Sequence, residues 1–215
     1  MTAPAEPLYP ASGPLVAGAR RIAVLRANAV GDFILTEPAL SALRDAYPAA
    51  RIALLGKAWH AAFLAGRAAP VDDVYAVPAV PGVGMPADAP ADPAAIDAFV
   101  QRMRALRFDL AIQLHGGGRY SNPFLLRLGA RVTAGFRTPD AEPLDRNFRY
   151  IDDMHPVVLR LLECVAMVGA TARRIEPRLA LRAADEQQAA RVMPAAAAPL
   201  AVVQPDATDA RRRWA

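Results

Sequence analysis

A chain of 215 residues that is 54% hydrophobic and 21% charged has the apolar mass for a true core, which excludes a disordered segment. One cysteine, Cys164, excludes an intrachain disulfide framework, and no Cys/His set has metal-ligand spacing. The balance is basic, net +4, carried by 24 arginines and one lysine, Lys57; it suits acidic ligands such as phosphates, although the Ala- and Arg-rich composition accounts for part of it.

Residues 1–20 hold Pro and small side chains, without the charged start and apolar core of a signal peptide, and read as a flexible leader. No apolar run approaches the ~18 residues of a membrane span. From Arg21 onward short apolar runs alternate with longer helical patterns. Strands are expected near 21–26, 51–55, 73–77, 109–114, 131–136 and 200–204. Helices are expected near 32–46, 58–66, 94–106, 120–129, 155–169 and 184–193. Continuous runs such as Ile22-Ala23-Val24-Leu25 and Leu110-Ala111-Ile112 suit strands covered on both faces. The predicted class is therefore α/β, a Rossmann-like doubly wound parallel sheet.

Two long loops interrupt the alternation. Residues 78–92 are rich in Pro, Gly and Ala and end at Asp92-Pro93, a helix start; residues 137–153 mix arginines and acids. Such loops are either binding elements or solvated excursions. The reading assigns 21–193 to one domain, 194–199 to a linker, and 200–215 to the first strand and loop of a second domain, so that the chain looks cut off just inside it.

In a 3-2-1-4-5 strand order the connection reverses between the first and fourth strands, and ligands bind in the crevice at their carboxyl ends. The loops Ala27-Asn28-Ala29-Val30-Gly31-Asp32 and His115-Gly116-Gly117-Gly118-Arg119 open there. Asp32 is a candidate functional carboxylate, or simply a helix-start acid stabilised by the dipole. Arg26 can hold an anionic group or orient that acid, or pair structurally. His115 can meet a sugar hydroxyl or anchor the Gly-rich loop, and Arg119 is a further candidate contact. The three glycines match neither Rossmann nor P-loop spacing. His60 and His155 sit in helical patterns and read as structural, and Cys164 as a buried inert thiol.

The segment Arg21 to Leu40, with Gly31-Asp32 followed by Thr36-Glu37-Pro38-Ala39-Leu40, resembles the N-terminal motif of glycosyltransferase family 9, the bacterial heptosyltransferases and their relatives. Phe108 to Gly116 and Leu128 to Phe136 resemble the family's later strands, and Gln204 to Trp214 the segment opening its nucleotide-binding domain. The resemblance implies the N-terminal half of a GT-B fold, whose residues 21–193 would be the acceptor-side domain, with the second domain truncated. It implies a metal-independent, inverting transfer from a nucleotide-sugar donor, with ADP-heptose a candidate, to a lipopolysaccharide-core or other anionic cell-surface glycan acceptor. Asp32 would be the general base, Arg26, His115 and Arg119 acceptor contacts, and Thr208 and Arg212 donor contacts. No cofactor, no resident metal and no nucleic acid are implied; the place implied is the cytoplasm, at the cytoplasmic face of the inner membrane. Gln204-Pro205-Asp206 stands where the family has His-Pro-Gly, which keeps a second reading open: a catalytically inactive fragment or binding remnant. This chain alone is expected to be inactive. A dehydrogenase-like nucleotide-binding protein is a third reading, and the absence of Gly-x-Gly-x-x-Gly after the first strand counts against it.

Overall fold

Ile22 to Leu25 are fully buried, and their side chains alternate between two cores. This is what strand β1 (Arg21–Leu25) needs at the centre of a sheet covered on both faces. In the computed structural model, which describes residues 7–151, 155–193 and 201–203, six parallel strands lie in the order β3-β2-β1-β4-β5-β6. The others are β2 (Arg51–Gly56), β3 (Asp73–Ala76), β4 (Leu110–Gln113), β5 (Val132–Arg137) and β6 (Arg146–Arg149). Val24 pairs with Leu54 on one side and Ile112 on the other, so the strands expected to be neighbours at the reversal point are neighbours.

Ile22 and Val24 pack with Leu40 and Leu43 of α1 (Val30–Ala46) and Leu161 and Val165 of α5 (Val157–Ala166). Ala23 and Leu25 face Val100 and Met103 of α3 (Pro93–Ala105) and Phe124 and Leu125 of α4 (Ser121–Leu126). Each such Leu or Ile contributes about 1.5–3 kcal/mol by leaving water, and this two-sided burial holds the sheet together. Helix α2 (Ala58–Leu64) follows β2. The predicted start of α3 forms as read: Pro93 opens the helix and the Asp92 side chain accepts from the Ala95 N–H at 3.0 Å.

Three expectations change. The loop 137–153 contains strand β6, pairing Phe136 with Phe148; its sequence Arg-Asn-Phe-Arg, half-exposed at the sheet edge, has no apolar run to announce it. The described part of the leader is anchored rather than free. Tyr9 and Ala172 exchange hydrogen bonds of 3.1 and 2.9 Å, and Val16 is buried with its N–H donating to the Tyr47 hydroxyl at 3.0 Å. Gly13 lies so close to α5 that a Cβ there would meet the Met167 carbonyl oxygen at 2.1 Å.

The third concerns the chain's end. The chain divides into compact units at Ala180–Leu181. In the second unit α6 (Ala183–Val192) buries no residue, and Asp185 accepts from the Arg182 N–H at its start. Residues 201–203, expected as strand, are exposed and carry none; an extended segment needs a ladder partner, and none exists among the described residues of that unit. Residues 194–200 and 204–215, with the expected linker, Thr208 and Arg212, lie outside the described residues.

Candidate functional site

The carboxyl ends of β1, β2 and β4 open on one crevice, and the loops that follow them build it. Arg26 directly follows β1 with only 5% of its surface exposed. Its Nη1 donates to the Leu114 carbonyl at 2.5 Å, tying the β1 end to the β4 end, and its Nη2 lies 3.2 Å from Asp32 Oδ1. Burial pulls the guanidinium pKa below its ordinary value, and the neighbouring Asp32 opposes that shift. Arg26 remains charged, because an arginine does not deprotonate in a protein.

Asp32 sits in the first turn of α1, behind Ala29, which supplies no side-chain cap. Its side chain is 39% exposed to the crevice. Oδ1 faces Arg26, whereas Oδ2 accepts nothing from any described residue.

His115 follows β4. Its backbone N–H donates to Gln113 Oε1 at 2.6 Å, and its carbonyl accepts from Ser121 Oγ at 2.8 Å. Nδ1 lies 3.3 Å from the Ala27 N–H and Nε2 3.2 Å from the Gly84 N–H. Burial, with Arg26 and then Lys57 adding positive charge and Asp32 opposing, pushes its pKa down to about 4. The ring is therefore neutral at pH 7 and carries one proton, so it accepts at one nitrogen only. One of the two backbone contacts is a hydrogen bond, and at the other a ring N–H faces a backbone N–H. His115 thus touches both the β1 turn and the loop 78–92.

A buried polar chain positions the Gly-rich turn. Gln113 and Asn122 are both fully buried, and Gln113 Nε2 donates to Asn122 Oδ1 at 3.0 Å. Asn122 Nδ2 in turn donates to the carbonyls of Phe136 and Glu142, at 3.1 and 2.8 Å. Every member is satisfied, which makes such a network rigid rather than costly. Gly118, at φ +99°, has no room for a Cβ, which would meet Asn122 Nδ2 at 2.6 Å.

Two adjoining depressions share Gly82 and His115. One, about 320 Å³, is lined by Asn28, Asp32, Lys57 and Met85. The other, about 330 Å³, is lined by the Gly116–Gly118 turn, Tyr120 and Tyr150. The loop 78–92 walls the first, so this excursion is part of the crevice. A larger cavity of about 480 Å³ lies at the opposite edge of the sheet; of the three arginines lining it, Arg51 is paired with Asp73 and Arg21 with the Leu106 carbonyl, and Arg107 is the third.

Of the sequence candidates, Arg26, Asp32 and His115 are brought together. Arg119 lines the second depression but points outward, 66% exposed, 3.7 Å from Asp140 and over the Tyr120 ring. His60 is buried, stacked on Trp59 and edge-on to Phe33 next to Asp32, with Nδ1 accepting from the Lys57 N–H at 2.9 Å. Among the described residues no group of three His, Cys, Asp or Glu can hold a metal, and no helix is long and apolar enough to cross a membrane. Sequence reasoning missed Gln113, Asn122, Lys57 and Gly84. Gln113, a polar residue inside an otherwise apolar buried strand, was the available signal.

No protein-family model matches this sequence, and no curated protein does. Solved structures do match in fold. A glycosyl transferase family 9 protein from Veillonella parvula DSM 2008 aligns with TM-score 0.62 and 17% identity, covering 80% of this chain and 48% of that one. E. coli heptosyltransferase WaaC with ADP gives 0.59 and 22%, over 91% and 61%. E. coli ADP-heptose LPS heptosyltransferase II gives 0.59 and 19%, over 80% and 50%. The chain spans roughly half the length of the structures it matches. What it shares with these family 9 glycosyltransferases and heptosyltransferases is their Rossmann-like α/β fold.

Proposed function

We propose that this chain is the acceptor-side part of a family 9 glycosyltransferase of the heptosyltransferase kind, and that Asp32 is its general base. The observation that carries the reading is Asp32 itself. It is a half-exposed carboxylate at the β1–β4 reversal point, with one oxygen fixed by a buried arginine and the other open to the crevice. Fold likeness to structures named for ADP and ADP-2-deoxy-2-fluoro heptose supports a nucleotide-sugar donor.

In this reading Oδ2 of Asp32 takes the proton of an acceptor hydroxyl as its oxygen attacks the anomeric carbon. The bond from that carbon to the nucleoside diphosphate breaks, the diphosphate leaves with its electron pair, and the configuration inverts. Arg26 orients the carboxylate through the 3.2 Å contact to Oδ1. His115, neutral and held between the Ala27 and Gly84 N–H groups, shapes the acceptor side of the crevice. Thr208 and Arg212 would stabilise the leaving diphosphate. The acceptor is an anionic inner-core or other cell-surface glycan, and the enzyme works at the cytoplasmic face of the membrane that carries it, where a net positive chain is favoured.

The test is Asp32→Asn in the enzyme, followed by nucleoside diphosphate release from ADP-heptose. The expected fall in kcat is ~10²-fold or more, with acceptor KM and melting temperature nearly unchanged. Turnover close to the parent's would return Asp32 to the role of a helix-start acid.

A further inference from the structure

Lys57 is the only lysine of the chain, and it stands beside the proposed base. It follows β2 directly and precedes α2. Because β2 pairs with β1, its carboxyl end opens on the same edge as Asp32. The stem is held by packing: Gly84, at φ +74°, lies so near that a Cβ there would meet Lys57 Cε at 3.0 Å and the Ala27 carbonyl oxygen at 2.7 Å.

The charges around the first depression leave Lys57 uncompensated. Arg26 is spent on Asp32 and the Leu114 carbonyl. Arg119 lies in the second depression, opposite Asp140. The covering loop 78–92 has no basic residue, only Asp88 and Asp92. Lys57 has no carboxylate within salt-bridge distance among the described residues. Its field is felt across the site, since it helps to hold both His60 and His115 neutral. An anionic group entering beside Asp32 is repelled by that carboxylate, and Lys57 is the cation on hand to offset the repulsion.

We infer that Lys57 anchors an anionic substituent, a carboxylate or a phosphate, on the acceptor sugar, and so sets the acceptor's charge preference and holds its hydroxyl against Asp32. The word acceptor rests on the function proposed above; the anion site itself does not.

The single lysine makes the test site-specific. Reductive methylation with ¹³C-formaldehyde labels Nζ of Lys57 and otherwise only the chain's α-amine, and methylation preserves the charge. Glucuronate, glucose 6-phosphate, glucose and ADP are then titrated while the Lys57 methyl resonance is followed. The resonance should shift with glucuronate or glucose 6-phosphate and stay still with glucose, and the tighter of the two anions identifies carboxylate or phosphate. Read by calorimetry on the unlabelled proteins, Lys57→Met should weaken that anion about tenfold or more, the loss expected for one charge-assisted contact, while Lys57→Arg retains most of the affinity. An equal response to glucose, unaltered anion affinity in Lys57→Met, or a stronger response to ADP than to either sugar anion would overturn the inference. This readout needs no sugar transfer. Normal turnover in Asp32→Asn would therefore sink the proposed reaction without touching the anion site, and a silent Lys57 would do the reverse.

Discussion

Glu37 is the residue whose replacement most directly tests how α1, the helix carrying Asp32, is held in place. It is 4% exposed and accepts four hydrogen bonds. Oε1 receives Ser41 Oγ at 2.7 Å and Arg174 Nη2 at 2.6 Å; Oε2 receives Arg174 Nη1 and the Arg178 N–H, each at 2.8 Å. Burial alone would raise its pKa, yet the Arg174, Ser41 and Arg178 contacts leave it below the ordinary value, so here the partners win over desolvation. Glu37→Gln keeps the shape and removes the charge. One oxygen becomes an NH₂ that faces two donors, and only Ser41 can turn to accept from it. Breaking a buried pair from one side costs about 3–5 kcal/mol, and because Arg174 keeps 22% side-chain exposure the lower end, about 3 kcal/mol, is expected. For a domain of this size that corresponds to a melting-temperature drop of roughly 6–12 °C.

The pH dependence has a definite sign. The depressed pKa means that Glu37 contributes its stability above its unfolded value and loses it as pH falls through the folded one. The parent should therefore lose stability below about pH 4.5 through a proton uptake that Glu37→Gln lacks. Urea unfolding at several pH values, with Arg174→Met and the double variant closing the cycle, measures both. A loss under about 1 kcal/mol with no coupling to Arg174 would show an ordinary surface pair and refute the reasoning.

Two further outcomes follow from the site's neighbours. His60 and His115 are both held down to about 4, chiefly by burial, so stability should be flat above pH 6.5 and fall between pH 6.5 and 4, by roughly 3 kcal/mol per ring. Urea midpoints over that range check it; His60→Phe should remove about half the slope, and an unchanged slope would contradict the assignment. Gly118→Ala should destabilise by about 1–3 kcal/mol, since its Cβ would strike the fully bonded Asn122, while Gly116→Ala, at φ +63° with open space around it, should cost only about 1 kcal/mol. Parallel thermal melts of the two variants compare them, and equal losses would mean that the Asn122 network yields.

Five of the six strands and all six described helices were legible because each carries its own periodic signal within a dozen residues. β1 carries the apolar run Ile22–Leu25 and β4 the run Leu110–Ile112, and α3 announces its start through Asp92-Pro93. β6 was not legible: an edge strand of Arg-Asn-Phe-Arg is specified by pairing with Phe136, not by its own composition. The anchoring of residues 7–19 was hidden for the same reason, since Tyr9 and Val16 find partners at Ala172 and Tyr47, far along the chain.

The site divides along the same line. Arg26, Asp32 and His115 could be brought together on paper because a topological rule, the reversal between neighbouring strands, says where loop ends meet. Lys57 and Gly84 could not, because no rule states which side of the crevice a loop of fifteen-odd residues will cover. Yet their placement decides the electrostatics. With Arg26 paired to Asp32 and His115 neutral, Lys57 is the one cation among the described residues lining the first depression, set against the Asp32 carboxylate. The fold's connectivity accounts for a carboxylate at this edge. In the proposed reaction, the kind of acceptor that Asp32 would serve depends on a lysine stem packed under a glycine of the loop, a contact between segments 27 residues apart.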